Sequence, residues 1–184
     1  KESDAVFSEV AGELLNKENI VNYWIFCSTL LARDNAGKNV YWSIRNLNDA
    51  KITMYIHPWD VDNCLGYRYG SPHAIKDPPT TPNYADTWFV LLRRYLENNV
   101  DGSADYLQTR WAELKNGACS FTSLKDRINN EAELLIESGV LKREKERWPE
   151  SLATDFYDEL DYTLEWLEER LEVMETLVAQ YRQS

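Results

Sequence analysis

The chain has 184 residues and a formal net charge of −11, from 20 Lys and Arg against 31 Asp and Glu. That balance excludes a surface built to displace counterions from DNA or RNA, and one drawn to an anionic membrane. A hydrophobic fraction of 43%, with 7 Trp and 11 Tyr, supplies a sizeable core, which excludes disorder and fits a single domain.

The first helix is expected from Ala5 to Leu15, capped by Ser3 or Asp4. The second is expected from Asn19 to Ala32, because Ile20, Trp24, Cys27 and Leu31 form one apolar stripe. Val40 to Ile44 is rich in strand formers, Asn46-Leu47-Asn48-Asp49 supplies turn residues, and Lys51 to His57 alternates with Ile52, Met54 and Ile56 on one face. That is a hairpin whose second strand ends at Pro58. Residues 66–84 read as a long loop holding four of the six prolines. Helices follow over Tyr84–Asn98, Ala104–Asn116, Thr122–Ser138 and Leu152–Gln183. The third starts near Ser120 and stops at Gly139. The last carries Phe156, Leu160, Leu164, Leu167, Leu171, Met174, Val178 and Tyr181 on one stripe, expected to pack within the chain rather than as a coiled coil. Residues 150–184 hold ten acidic and two basic residues, read as a solvated helix face. The fold class is mainly α (α+β), with a small β-hairpin.

No apolar run approaches the roughly 20 residues of a membrane span, so no membrane insertion is expected. No signal peptide is visible, but the chain starts at Lys1 rather than Met, so that observation decides no compartment. Cys27, Cys64 and Cys119 are odd in number and contain no CxxC pair, which reads as free buried thiols.

The chemistry-bearing residues flank the hairpin. Arg33-Asp34-Asn35-Ala36-Gly37-Lys38-Asn39 leads into it, and Pro58-Trp59-Asp60-Val61-Asp62 leads out. A hairpin brings its outer ends together, so Asp34 and Asn39 are expected beside Asp60 and Asp62 although Asp34 and Asp60 are 26 positions apart. Phosphoryl transfer needs such a cluster: one carboxylate to orient the attacking hydroxyl, and a second with an amide oxygen to hold magnesium. The order Asp-x4-Asn, hairpin, Asp is that of a kinase catalytic loop followed by its magnesium loop. Asp34 to Gly37 also reads as an ordinary turn.

The sequence resembles the CotH (spore coat protein H) kinase family. The likeness rests on Asn22-Tyr23-Trp24-Ile25-Phe26, the Asp34 to Trp42 segment, and Pro58-Trp59-Asp60-Val61-Asp62 with Gly66. It continues through Arg110-Trp111, Arg147-Trp148-Pro149 and Trp166-Leu167 with Arg170-Leu171. The resemblance implies a protein-kinase-like C-terminal lobe that passes phosphate from ATP to Ser or Thr of secreted or coat proteins, outside the cytoplasm at a cell envelope or spore coat. Carried across, Asp34 is the catalytic aspartate, Asn39 and Asp60 are the magnesium or manganese ligands that engage the nucleotide, and Asp62 is the next ligand candidate. Ala32 stands where the family of ordinary kinases has a histidine. Arg68 and Tyr69 follow the metal loop, where a peptide substrate would be met.

The departure from the kinase pattern is the nucleotide lobe. Seven glycines are scattered along the chain and form no phosphate-covering loop. The expectation is a C-terminal lobe whose isolated form is inactive. Its exposed apolar surface would be covered by the missing N-terminal lobe or by a homo-oligomer. A haloacid-dehalogenase reading of Asp60-Val61-Asp62 fails at Cys64 and at the helical remainder. A calcium-loop reading fails at Cys64 and Leu65. The competing class is a non-catalytic interaction module at a spore or cell surface. His57 and His73 are assigned no catalytic role.

Overall fold

A computed structural model describes residues 3–70, 74–149 and 155–182. Helix α1 spans Asp4–Leu14 and is capped by the Ser3 side chain, which accepts from the Val6 N–H. Helix α2 spans Lys17–Leu30, with Asn16 accepting from Asn19 N at 2.9 Å. It starts earlier than the apolar stripe suggested, because the polar Lys17-Glu18 turn belongs to it. Ile20, Trp24, Cys27 and Leu31 are all buried. Leu31 turns left-handed at φ 49° and ends the helix.

Strand β1, Val40–Ile44, pairs antiparallel with β2, Met54–Pro58, from Val40 opposite Pro58 to Ile44 opposite Met54. The second strand starts later than expected. Asn46 braces a wider turn, accepting from Thr53 N at 2.8 Å and donating to Lys51 O at 2.5 Å. On the other side of β2, Asn19 of α2 donates to Ile56 O at 3.0 Å and accepts from Ile56 N at 2.6 Å. Helix α2 thus grips the hairpin by its backbone, and Ile56 is buried beneath. His57 bonds Ser43 Oγ at 2.7 Å on the outer face.

The expected long loop contains a second ribbon, β3 (Tyr67–Arg68) with β4 (Ile75–Lys76). Two paired residues a side are too few for a period to show in sequence. Residues 71–73, with Pro72 and His73, lie outside the described residues.

The segment expected as one helix from Tyr84 is two: α3, Tyr84–Thr87, and α4, Val90–Glu97. Phe89 breaks the run with ψ 76°, within a Thr-Trp-Phe-Val stretch of poor helix formers. Helix α5 spans Ser103–Lys115 and α6 spans Phe121–Glu137, capped by Ser120. Helix α7, Val140–Arg147, was not expected. It buries none of its residues, so it carries no apolar period to read. Helix α8, Phe156–Ala179, starts inside the expected span, whose first residues 152–154 lie outside the described residues.

Helix α8 packs against α2, α5 and α6. It buries Trp166, Leu167, Arg170, Met174 and Val178. The main core joins Met174 and Val178 to Ile20, Trp24, Leu92, Tyr95, Leu107 and Trp111. A smaller cluster of Leu31, Trp166 and Leu167 lies against Leu65 and Tyr84. Two of the motif tryptophans are anchors: Trp111 Nε1 donates to Glu175 at 2.7 Å, and Trp166 Nε1 donates to Asp77 O at 2.9 Å, whereas Trp59 and Trp148 are exposed.

Candidate active site

The site forms where α2 ends and the hairpin opens. Leu65 N bonds Leu30 O at 2.7 Å, and Arg33 N bonds Asn63 O at 3.2 Å, so the segment leaving the hairpin runs beside the helix end. Asp34–Ala36 makes one tight 3₁₀ turn. The Asp34 carbonyl accepts from both Lys38 N and Asn39 N, which folds Asn39 back toward the turn.

Buried Asn35 staples the two outer ends of the hairpin. Its amide donates to Asn39 O and to Trp59 O, each at 2.8 Å. Its own carbonyl accepts from Tyr23 OH at 2.9 Å. Burial, and then the neighbouring Cys27, pushes the Tyr23 hydroxyl well above its ordinary range, which keeps it a donor. Trp59 N bonds Asn39 O at 2.9 Å, and Asn39 Nδ2 donates to Asp60 O at 3.2 Å.

Asp34 is half-buried, with 17% of its side chain exposed. Its Oδ2 is ion-paired with Lys38 Nζ at 2.9 Å and accepts from Asn63 Nδ2 at 3.0 Å. Among the described residues nothing engages Oδ1 or the Asp60 carboxylate. Asp60 lies exposed in the left-handed region at φ 53°. An aspartate tolerates that conformation at modest cost, and such a residue held there by its surroundings is a common mark of a working site. Asp62 is exposed and accepts from Asn63 Nδ2 at 3.0 Å. The Cys64 thiol behind it is pushed up to about 11, first by burial and then by the Asp62 charge.

Asn39, Asp60 and Asp62 offer hard oxygen donors, the chemistry magnesium prefers. Among the described residues no group of three His, Cys, Asp or Glu forms a ready-made metal cage. The set present, two carboxylates and an amide, suits an ion that keeps waters and phosphate oxygens in its remaining positions.

Arg33 lies over two rings, 4.8 Å from the Trp88 centroid and 5.2 Å from Tyr84. Of the two residues expected to face a substrate, Arg68 is tied to Asp77 at 2.9 Å and Tyr69 is 82% exposed. A groove of about 410 Å³ lined by Phe7, Val10, Leu14, Trp42, Met54 and Leu91 lies at the far end of the hairpin, and its lining is apolar.

A family model described as CotH kinase protein matches residues 1–174. The chain belongs to the CotH kinase family. It is therefore kinase-like, and for the CotH kinases in general ATP, a divalent metal and a protein substrate follow. Searches of curated proteins and of solved structures returned no match. Among the described residues of this CotH kinase chain no helix is long and apolar enough to cross a membrane.

Asp34, Asn39, Asp60 and Asp62, the residues expected from the sequence, lie around one turn and one loop. Lys38, Asn35 and Asn63 were not among the expected residues. Lys38 had a signal, since four positions after Asp34 is a neighbouring place on a helical turn. Asn35 and Asn63 had none, because their bonds cross between segments.

Proposed function

We propose that this chain carries the acceptor and metal residues of an ATP-dependent protein kinase acting on Ser or Thr of coat or secreted proteins. In this reading the chain is a single domain equivalent to a kinase C-terminal lobe, working outside the cytoplasm at a cell envelope or spore coat. The observation that carries the reading is the half-tethered carboxylate of Asp34. Lys38 and Asn63 hold Oδ2, and among the described residues no hydrogen bond takes Oδ1.

A serine hydroxyl donating to Oδ1 is oriented toward the γ-phosphorus. As its oxygen bonds to phosphorus, the bond to the ADP oxygen breaks and ADP leaves with the electron pair. The hydroxyl proton passes to Asp34. Lys38, with 68% of its side chain exposed, sets a positive charge beside that transfer. Asn39, Asp60 and Asp62 would hold the magnesium, which when bound neutralises charge on the phosphates. Arg68 and Tyr69 are assigned to face the protein substrate. No glycine-rich loop covers the phosphates in this sequence, so transfer is assigned to the full-length protein and the isolated chain is expected to be inactive.

The test combines melting with transfer in the full-length protein. Magnesium or manganese with ATP should raise the melting temperature, by about 2.7 kcal/mol of stabilisation at a hundred-fold excess over Kd. Asp60→Asn should abolish that rise. Asp34→Asn should keep it and lose about 10²- to 10⁴-fold in kcat. Undiminished transfer by Asp34→Asn would sink the kinase reading. A second reading, an assembly module, is favoured by exposed Leu134, Leu135 and Ile136 on α6, and it predicts no metal-dependent stabilisation.

A further inference from the structure

We infer that Asn63 is the positioning residue that sets the Asp34 carboxylate for phosphoryl transfer and locks it to the metal loop and to the substrate-side segment. The inference rests on the kinase reading above. It comes from four bonds made by one residue. Asn63 Nδ2 donates to Asp34 Oδ2 and to Asp62 Oδ1, each at 3.0 Å. Asn63 Oδ1 accepts from Tyr69 N at 2.5 Å, and Asn63 O accepts from Arg33 N at 3.2 Å. Three stretches of chain thereby meet on one side chain.

The chemistry of that arrangement is directional. Both amide hydrogens go to carboxylates, and the amide oxygen goes to a backbone N–H, so the amide cannot flip without opposing oxygen to oxygen. One rotamer of Asn63 therefore fixes which Asp34 oxygen is tethered and which is left for another partner. Lys38 alone would not do this, because its exposed ammonium is a flexible point charge. The same amide couples Asp34 to Tyr69. A displacement of the segment after the metal loop therefore reaches the carboxylate through one residue.

The experiment measures kcat and the KM for ATP in the full-length protein, using a degenerate Ser/Thr peptide mixture as acceptor. It compares wild type, Asp34→Asn, Asn63→Ala and Asn63→Asp, with a melting curve for each. Asn63→Asp keeps the acceptor for Tyr69 N and loses the donors to the carboxylates. The expected result is a fall of about 10- to 100-fold in kcat for both Asn63 variants, with KM for ATP changed less than about three-fold. Retention of kcat in Asn63→Asp with loss in Asn63→Ala assigns the residue to Tyr69 alone and overturns the inference. Unchanged kcat in both variants beside an inactive Asp34→Asn overturns the inference and leaves the kinase reading standing. Absent transfer in wild type, or full transfer in Asp34→Asn, overturns the kinase reading and this inference with it. If Asn63→Ala melts too low to assay, the Asn63→Asp result decides alone.

Discussion

At the scale of single residues, Gly66 shows how little room the segment leaving the hairpin has. Its φ is +80°, and a Cβ there would lie 2.5 Å from Trp166 Nε1. The indole cannot swing aside without giving up its bond to Asp77 O. Gly66→Ala is expected to cost about 2 to 4 kcal/mol, from overpacking and backbone strain together. Urea denaturation checks this, and a loss below about 1 kcal/mol would mean that Trp166 yields. Gly66 stood in the sequence as part of a family-like pattern. Its reason, a tryptophan 100 positions later, did not. The same holds for Asn63, whose partners at Asp34 and Tyr69 come from either side of it in the chain. A side chain's hydrogen-bonding partners are set by the fold, and composition carries no trace of them.

At the scale of elements, the hairpin was legible because β1 is dense in strand formers and β2 alternates. What anchors it was not. Asn19, on the polar side of a helix read only for its apolar stripe, makes a two-point bond to Ile56. Asn19→Ala should cost about 2 kcal/mol, since both backbone groups lose a partner. Hydrogen exchange at the Ile56 amide should speed markedly, and unchanged protection there would show that the strand is held by other means. The break between α3 and α4 was also illegible, because weak helix signals compete there and tertiary packing settles them. Helix α7 was illegible for a different reason: it buries none of its residues and so leaves no apolar period.

At the scale of the whole molecule, one carboxylate ties the C-terminal end of the helical body to its centre. Asp86 accepts from Trp24 Nε1 at 2.7 Å, Tyr181 OH at 2.5 Å, Asn83 Nδ2 at 3.0 Å and Gln180 Nε2 at 2.9 Å. It is also a negative charge favouring fully buried Arg170, whose guanidinium burial lowers to about 10 against that pull. Arg170 in turn donates to Ser28 O, Pro79 O and Thr81 O, closing the segment after β4 onto α2 and α8. Asp86→Ala should therefore cost about 3 to 5 kcal/mol, because it strands buried donors and a buried charge. Asp86→Asn, which loses the charge but keeps an acceptor oxygen, should cost less; equal midpoints in denaturant for the two variants would show that the lost charge, and not the stranded donors, carries the effect.

The helical class, the hairpin, the apolar stripes and the four oxygen-bearing residues at the hairpin's ends are readable from the chain alone. Those follow from periodicity and spacing, which are local. Which oxygen of Asp34 is tethered, how Asn35 and Asn63 bridge the ends of the hairpin to their neighbours, and how Asp86 and Arg170 join distant helices emerge with the fold. Those are directional polar bonds between segments far apart in the chain, and their geometry exists only once the apolar core has brought the segments together.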